Sequence, residues 1–257
     1  FHTPGCILTP GEMRTTRFHI ASCLGALMTA ACCRSESPPP ERDPYADARA
    51  AMVAHQIEAR GVKSAAVLTA MRTVPRHLFI PEEWRSYAHE DGPVPIGQEQ
   101  TISQPFMVAA MTEMLRVGPD SVVLEVGTGS GYQAAVLAEI VARVYTIEIV
   151  EPLARAAGAR LRELGYTNIE VRAGDGYEGW PEHAPFDGII VTAGADHVPQ
   201  PLLDQLKPGC RMVIPVGESL DAQSLKVITK LHDGRVDAED VMAVRFVPLT
   251  GAHSKWK

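Results

Sequence analysis

Short apolar runs alternate with amphipathic segments in the part of the chain that follows Gly118 and Pro119. Apolar runs bounded by turn residues indicate strands, whereas apolar positions spaced three to four apart indicate helices. Strands are predicted over residues 122–126, 143–149, 168–172, 187–192, 211–216, 225–231 and 241–249, and helices over residues 132–141 and 152–164. Strands separated by helices favour a mainly parallel sheet that is covered on both faces.

The two ends of this pattern differ from its middle. Only a turn region around Asp233 and Gly234 separates the last two predicted strands, so they are expected to pair antiparallel at one end of the sheet. Upstream, residues 45–60 and 63–72 show helical spacing, and Gly61 marks a helix end between them. We predict a doubly wound α/β fold with seven strands, the last one antiparallel, and extra N-terminal helices.

The first 43 residues have a different character. Met13, Arg14 and Arg17 precede an apolar run over residues 18–33, and residues 35–44 form a proline-rich linker. A basic start followed by a short apolar stretch resembles a secretory signal. An equally open alternative is that residues 1–12 are a wrongly assigned leader and that the apolar run is an incidental, disordered extension. We predict an N-terminal extension over residues 1–43 and one domain over residues 44–257.

Charge and cysteine content narrow the possible partners. Lys and Arg total 24 against 31 Asp and Glu, a net charge of -7, whereas binding to a phosphate backbone normally needs a basic excess. A nucleic-acid partner is therefore not expected. The chain has no H-E-x-x-H pattern and no C-x-x-C pair, and Cys210 is the only cysteine after Arg34, so we predict no metal.

The first predicted strand runs into a glycine-rich turn that opens a helix. Gly127, Gly129 and Gly131 allow positive φ angles and close approach of a ligand to the backbone. Dinucleotide sites use a related turn, so the glycines alone predict only a nucleotide-like cofactor. Glu125, two positions before the first glycine, would repel a pyrophosphate but suits the cationic amino and sulfonium groups of S-adenosylmethionine (AdoMet).

Two further acidic residues follow the next two predicted strands. Glu148 ends the second strand, where a carboxylate can accept hydrogen bonds from both hydroxyl groups of a ribose. Asp175 and Gly176 follow the third strand, and Asp175 could accept a hydrogen bond from an adenine amino group. These positions predict an adenosine-containing ligand without selecting which one.

Several stretches together resemble the protein-L-isoaspartate (D-aspartate) O-methyltransferase family. The most specific is residues 95–105, which contain Thr101-Ile102-Ser103-Gln104-Pro105 ahead of the glycine turn. The other matching stretches are residues 74–79, 123–132, 174–176, 185–187, 191–193 and 244–249. Glu99 departs from the family pattern, which usually has glycine there. The resemblance implies a Rossmann-like AdoMet-dependent methyltransferase that esterifies L-isoaspartyl residues of damaged proteins, as the first step of their repair.

The resemblance also implies individual roles. Ser103 would be the active-site serine, and the segment that contains Thr250 would return over the cofactor. A carboxylate acceptor has an unperturbed pKa of about 4 and is already an anionic nucleophile at neutral pH, so the serine would orient it rather than act as a nucleophile itself. The alternative is that the Ser103 hydroxyl caps the helix predicted over residues 104–115.

Other functions stay open at this point. A methyltransferase acting on a small molecule or RNA, a nicotinamide-dependent dehydrogenase and a non-catalytic binding protein with this fold are all compatible with the glycine turn. A monomer is expected. Because AdoMet is made in the cytosol, a cytoplasmic location is expected, and export or attachment to the envelope is the alternative that the signal-like segment raises.

Overall fold

A computed structural model describes residues 43–219 and 221–255. The predicted N-terminal extension, apart from Asp43, lies outside the described residues, and so does its signal-like segment. Within the described ranges, no helix has the length and apolar character needed to cross a membrane.

A helical layer precedes the sheet, as predicted. Helix α1 (Ala46–Met52) continues through a π-helical turn (Val53–Ile57) and a 3₁₀ turn (Glu58–Arg60), and Gly61 ends it with a φ of 99°. Helix α2 (Ala65–Thr73) begins at Ser64, whose side chain accepts a hydrogen bond from the amide of Val67. Two more 3₁₀ turns follow, at Arg76–Phe79 and Glu82–Tyr87. The two predicted N-terminal helices are thus confirmed, although the first is α-helical only in part.

A short hairpin that the hydrophobic pattern does not predict leads to the sheet. Strands β1 (Val94–Gly97) and β2 (Gln100–Ile102) pair antiparallel, and helix α3 (Pro105–Leu115) follows. The two turn residues between the strands, Gln98 and Glu99, both have positive φ, at 53° and 58°. This geometry favours Asn and Gly, so the hairpin carries two side chains that disfavour its turn.

We expect Glu99→Gly to stabilise the protein by about 1 kcal/mol. A non-glycine residue in the left-handed region destabilises the folded protein by about 1–2 kcal/mol, but glycine also raises the conformational entropy of the unfolded chain, which offsets part of this stabilisation. Chemical denaturation would measure the change. Gly97→Ala offers the reverse control, since Gly97 has a φ of 88° in the same hairpin. A destabilised Glu99→Gly protein would contradict this account of the turn.

Seven further strands form the main sheet. They are β3 (Val122–Val126), β4 (Arg143–Glu148), β5 (Ile169–Ala173), β6 (Phe186–Val191), β7 (Leu206–Ser219), β8 (Ala222–Lys230) and β9 (Val236–Val244). Their order is β5-β4-β3-β6-β7-β8-β9. The first five run parallel, whereas β7 pairs with β8 and β8 pairs with β9 antiparallel. Helices α4 (Tyr132–Ala138), α5 (Glu151–Glu163) and α6 (Gln200–Gln205) follow β3, β4 and β6.

Both faces of the sheet are buried, which explains why its central strands are continuous apolar runs. Val123 of β3 packs into a cluster with α2, α3 and α4, whereas its neighbour Leu124 packs on the opposite face against β6 and Trp180. Strand β3 lies inside the sheet, between β4 and β6. The chain order reverses at β3, and ligands of such sheets bind at the carboxyl ends of the strands beside this point.

The prediction that the last strand reaches Leu249 is wrong. Strand β9 ends at Val244, and the following segment leaves the sheet edge. It runs beside the end of β6 instead. There the amide of Gly194 donates to the carbonyl oxygen of Val247 at 2.8 Å, and the amide of Leu249 donates to the carbonyl oxygen of Gly194 at 2.7 Å. Pro248 between them has no amide hydrogen to donate to a ladder. The C-terminal segment therefore crosses the carboxyl edge of the sheet.

Candidate active site

A cavity opens at the carboxyl ends of β3, β4 and β6, beneath the hairpin and the C-terminal segment. It encloses about 780 Å³, part of it open to solvent. Six of the residues predicted from the sequence line it: Ser103, Gly127, Gly129, Glu148, Gly176 and Thr250. The other three, Glu125, Gly131 and Asp175, do not line it.

The glycine turn after β3 forms the floor of the cavity. Gly127 has a φ of 102°, and a Cβ atom there would lie 2.4 Å from Oγ1 of Thr192. Thr192 follows β6, and its hydroxyl donates to the carbonyl oxygen of Gly127 at 2.6 Å. Gly131 has a φ of 88° at the start of α4, where a Cβ would lie 3.2 Å from Leu161 of α5. Gly127 thus permits contact between neighbouring strand ends, and Gly131 permits helix packing.

Glu148 lies at the cavity, and its contact with a ribose stays a prediction. The residue is only 6% exposed and lines the cavity. One carboxylate oxygen accepts from the amide of Gly129 at 2.7 Å and the other from the amide of Val150 at 2.9 Å. Each carboxylate oxygen has two lone-pair positions, so each can still accept one hydroxyl hydrogen bond.

Asp175 has a role within the chain that the sequence did not predict. Its Oδ1 accepts from the amide of Tyr177 at 3.0 Å, and its Oδ2 accepts from the amide of Ala252 at 3.2 Å. The carboxylate therefore fastens the C-terminal segment to the loop after β5. Its neighbour Gly176 lines the cavity, where a Cβ would lie 2.3 Å from Val126. A contact between Asp175 and adenine stays a prediction.

Glu125 lies behind the cavity rather than in it. The side chain is fully buried, Oε2 accepts from the hydroxyl of Thr146 at 2.5 Å, and Oε1 has no partner among the described residues. Burial, with a smaller contribution from the charge of Glu148, raises the pKa of Glu125 to about 8. Glu125 is thus mainly protonated at neutral pH. The argument from the sequence assumed an ionised Glu125 that faces the cationic groups of AdoMet, and the buried side chain matches neither assumption.

Ser103 follows the hairpin and is half-buried. It lines the cofactor-sized cavity and also a second groove, of about 1370 Å³ including open solvent, formed with Phe106, Met107 and the residues after β9. Helix α3 begins at Pro105 with Gln104 as its N-cap residue, and no side chain caps it. The alternative that Ser103 caps this helix is therefore wrong. Its hydroxyl remains available to a ligand at the junction of the two spaces.

Three residues that contribute to the site were not singled out from the sequence. Thr192 lines both spaces, and Arg76 donates from Nη2 to the carbonyl oxygen of Ser103 at 2.8 Å. Gln223 holds the C-terminal segment through a pair of hydrogen bonds with the backbone of Phe246, at 3.0 and 2.9 Å. Thr192 and Arg76 lie in stretches that carry the family resemblance, but only their contacts reveal what they do.

Metal ligands are not grouped in the described part of the chain. Residues 43–219 and 221–255 contain no cluster of three or more His, Cys, Asp or Glu side chains arranged to hold a metal ion. The residues that line the cavity carry hydroxyls, backbone amides, the side-chain amides of Gln100 and Gln133, and the Glu148 carboxylate. These groups suit a polar organic ligand.

The seven-stranded sheet, the glycine turn after its central strand and the acidic end of the neighbouring strand define an AdoMet-dependent methyltransferase. Residues 47–254 match the model of the family described as protein-L-isoaspartate(D-aspartate) O-methyltransferase. The chain therefore belongs to the protein-L-isoaspartate O-methyltransferase family.

Individual relatives agree with this assignment. The chain is 56% identical over 220 residues to protein-L-isoaspartate O-methyltransferase 2 of Syntrophobacter fumaroxidans, covering 82% of this chain and 89% of the relative. It is 51% identical over 238 residues to protein-L-isoaspartate O-methyltransferase 1 of Nitrosospira multiformis, covering 92% and 99%. A Plasmodium falciparum protein assigned the same activity, solved in complex with S-adenosyl-L-homocysteine, matches with a TM-score of 0.67 and 26% identity, covering 79% and 98%.

Proposed function

We propose that this enzyme transfers the methyl group of AdoMet to the free carboxylate of L-isoaspartyl residues in damaged proteins, with Ser103 orienting the acceptor. The observation that carries the proposal is the position of Ser103 between the cofactor-sized cavity and the second groove. An acceptor group held at Ser103 can face a methyl donor in the cavity while the rest of the substrate chain lies in the second groove.

The cavity residues fit AdoMet, which supplies an electrophilic methyl group on a sulfonium when it is bound. The positive φ angles of Gly127 and Gly129 let the backbone approach the ligand closely. Glu148 is placed to accept from the ribose hydroxyls. The C-terminal segment, including Thr250, lines the cavity and would contact the bound cofactor.

The acceptor needs alignment rather than activation. A carboxylate with an unperturbed pKa of about 4 has already lost its proton at neutral pH, so no side chain has to remove one. A hydrogen bond from Ser103 to one oxygen would leave the other oxygen free to point at the methyl carbon. Holding reacting atoms at about 3–3.5 Å in this way accounts for much of the rate acceleration that an enzyme can provide.

The second groove supports a peptide rather than a small molecule as the acceptor. It is open and partly apolar, with Phe106, Met107 and Met242 among its lining residues. A free small molecule would leave most of this surface uncovered, whereas an extended peptide would cover it. A monomer stays a proposal. A cytoplasmic location is proposed because the methyl donor is made there.

Transfer of labelled methyl from AdoMet to an isoaspartyl peptide tests the proposal directly. The same peptide with a normal aspartyl residue serves as the control, and a panel of small molecules and RNA tests the alternative acceptors. Methylation confined to the isoaspartyl peptide supports the proposed function. Methylation of another acceptor alone would refute the isoaspartyl assignment and leave the methyltransferase class intact.

We expect Ser103→Ala to retain AdoMet affinity and to lower the rate of methyl transfer about ten- to a hundredfold. A hydrogen bond to a charged group contributes about 1.5–3 kcal/mol, and each 1.36 kcal/mol is a tenfold change in rate. Single-turnover kinetics would measure the rate. Ser224→Ala, on β8 and outside both spaces, is the matched control and should leave it unchanged.

The pH dependence of the wild-type rate provides an independent check on the same mechanism. Because the acceptor is ionised well below neutrality, no essential base should titrate between about pH 6 and 8. Full activity of Ser103→Ala would remove the orienting role of the serine. A rate that follows a group titrating near neutrality would instead indicate an alcohol, amine or thiol acceptor.

A further inference from the structure

Arg76 lies where the N-terminal helical layer meets the active site, and it is fully buried. Its Nε donates to the carbonyl oxygen of Ala88, and its Nη2 donates to the carbonyl oxygen of Ser103, both at 2.8 Å. The guanidinium also lies over the ring of Tyr132, with Cζ 4.8 Å from the ring centroid. Tyr132 begins the helix that follows the glycine turn, so Arg76 joins this helix to the serine-bearing hairpin.

The positive charge of Arg76 has no carboxylate partner in the part of the chain that the structure describes. The neutral Tyr132 side chain interacts with the guanidinium, and the buried Nη1 meets no acceptor there with hydrogen-bond geometry. Burial lowers the pKa of Arg76 to about 10, which still leaves the guanidinium charged at neutral pH. A buried charge without a counter-ion is costly to maintain. Such a charge is therefore expected to meet an anion during function.

The titratable groups around Arg76 do not offset its charge. Asp43 pairs with Arg49 at 2.7 Å. Burial lowers the pKa of His77 and lowers that of His89 to about 4, and it raises the pKa of Tyr132, so all three are uncharged at neutral pH. Arg85, which acts electrostatically on His77, adds positive charge to this region. A negative charge that balances Arg76 therefore has to come from a group other than these neighbours.

We infer that Arg76 is a positioning residue for the acceptor: it fixes the backbone of Ser103, and its unpaired charge attracts the carboxylate that Ser103 contacts. The inference rests on the proposed function, because the counter-ion is the isoaspartyl carboxylate itself. Charges act strongly on each other away from water and are little screened by salt. The methyl ester that forms is neutral, so the attraction ends with the reaction and product release is favoured.

Binding of two peptides that differ only in charge tests the inference. One is the isoaspartyl peptide, and the other has its free carboxylate replaced by the neutral amide. Affinity is measured by calorimetry with S-adenosyl-L-homocysteine present, since this compound has no methyl group to transfer. We expect the wild type to prefer the carboxylate at least tenfold. Arg76→Met should bind the two peptides equally well, and its kcat/KM for the isoaspartyl peptide should be at least tenfold lower. Its affinity for AdoMet should stay within about threefold of the wild-type value, which corresponds to roughly 0.65 kcal/mol.

Arg76→Lys separates charge from geometry. It keeps the positive charge, so most of the preference for the carboxylate should remain. A single ammonium group cannot reproduce the planar fork that reaches both carbonyl oxygens, so kcat should fall. This variant also carries the test if Arg76→Met does not fold, and an unchanged kcat in Arg76→Lys would then refute the inference.

Arg160→Met is the matched control. Arg160, on helix α5, also donates to a backbone carbonyl, but to that of Ser130 at 2.9 Å rather than to that of Ser103. Its loss should leave the preference for the carboxylate unchanged. An unchanged preference in Arg76→Met, in an enzyme that methylates the isoaspartyl peptide, would refute only the role of Arg76. A wild-type enzyme that does not methylate that peptide would refute the proposed function and this role together.

Discussion

Glu148→Ala is expected to lower the affinity for AdoMet at least tenfold. In the proposed site, two ribose hydroxyls would lose a charged acceptor. A hydrogen bond to a charged group contributes about 1.5–3 kcal/mol, and about 1.4 kcal/mol already changes the dissociation constant tenfold. The substitution also releases the amides of Gly129 and Val150, which the carboxylate holds at 2.7 and 2.9 Å. The glycine turn would therefore lose part of its preorganisation as well.

Calorimetric titration with AdoMet measures this effect. Glu170→Ala is the matched control, because Glu170 lies on the adjacent strand β5 and pairs at the surface with Arg143. Glu148→Gln distinguishes the two contributions, since its amide oxygen can still accept one backbone hydrogen bond without carrying the charge. Unchanged affinity in Glu148→Ala would remove this residue from the cofactor site.

Glu125 is expected to make the ligand-free protein less stable as the pH rises. Its pKa is about 8 in the folded protein, against 4.5 for a glutamate side chain in water, as in the unfolded protein. Below pH 4.5, Glu125 is protonated in both the folded and the unfolded protein, so it does not make the free energy of unfolding depend on pH. Between the two values the unfolded state loses its proton while the folded state keeps it, so the free energy of unfolding falls. At about 1.36 kcal/mol per pH unit, the loss between pH 5.5 and 8 is about 3 kcal/mol.

Urea unfolding at the two pH values, compared between wild type and Glu125→Gln, measures this contribution. The glutamine can still accept from Thr146 but cannot ionise, so the variant should lack this decline and be the more stable protein at pH 8. Glu170→Gln, at a half-buried position on the sheet surface, should keep the wild-type pH dependence. A wild type and a Glu125→Gln variant with parallel pH profiles would mean that Glu125 is ionised in the folded protein.

Local sequence was sufficient where one residue type meets one backbone requirement. Gly127 and Gly131 were predicted from spacing alone, because a turn with positive φ leaves few alternatives to glycine. Strand β3 was predicted with its observed bounds, because a strand buried on both faces has to be apolar throughout. Glu148 was placed at the cavity because its strand is parallel to β3, so the two carboxyl ends lie side by side.

The sequence did not predict the β1–β2 hairpin or the contacts between distant segments. The strands of the hairpin are too short to show a period, and their pairing depends on a turn with two unfavourable residues. Asp175 binds the amide of Ala252, far along the chain, and so ties down the C-terminal segment. The segment after Val244 carries strand-like residues but follows the end of β6, because Gly194 offers it hydrogen bonds there.

The sequence by itself determined the class of fold, the glycine turn, the acidic end of β4 and the resemblance that identifies Ser103, since each depends on a periodicity or on a residue type that the local backbone requires. The tertiary structure alone decided which carboxylates carry charge and which groups face a ligand. Glu125 loses its charge because neighbouring strands bury it, and Arg76 keeps an unpaired charge beside Ser103 because the separate segments that contain Ala88, Ser103 and Tyr132 enclose it. Burial is a property of the surroundings of a side chain, and no local pattern in the sequence records it.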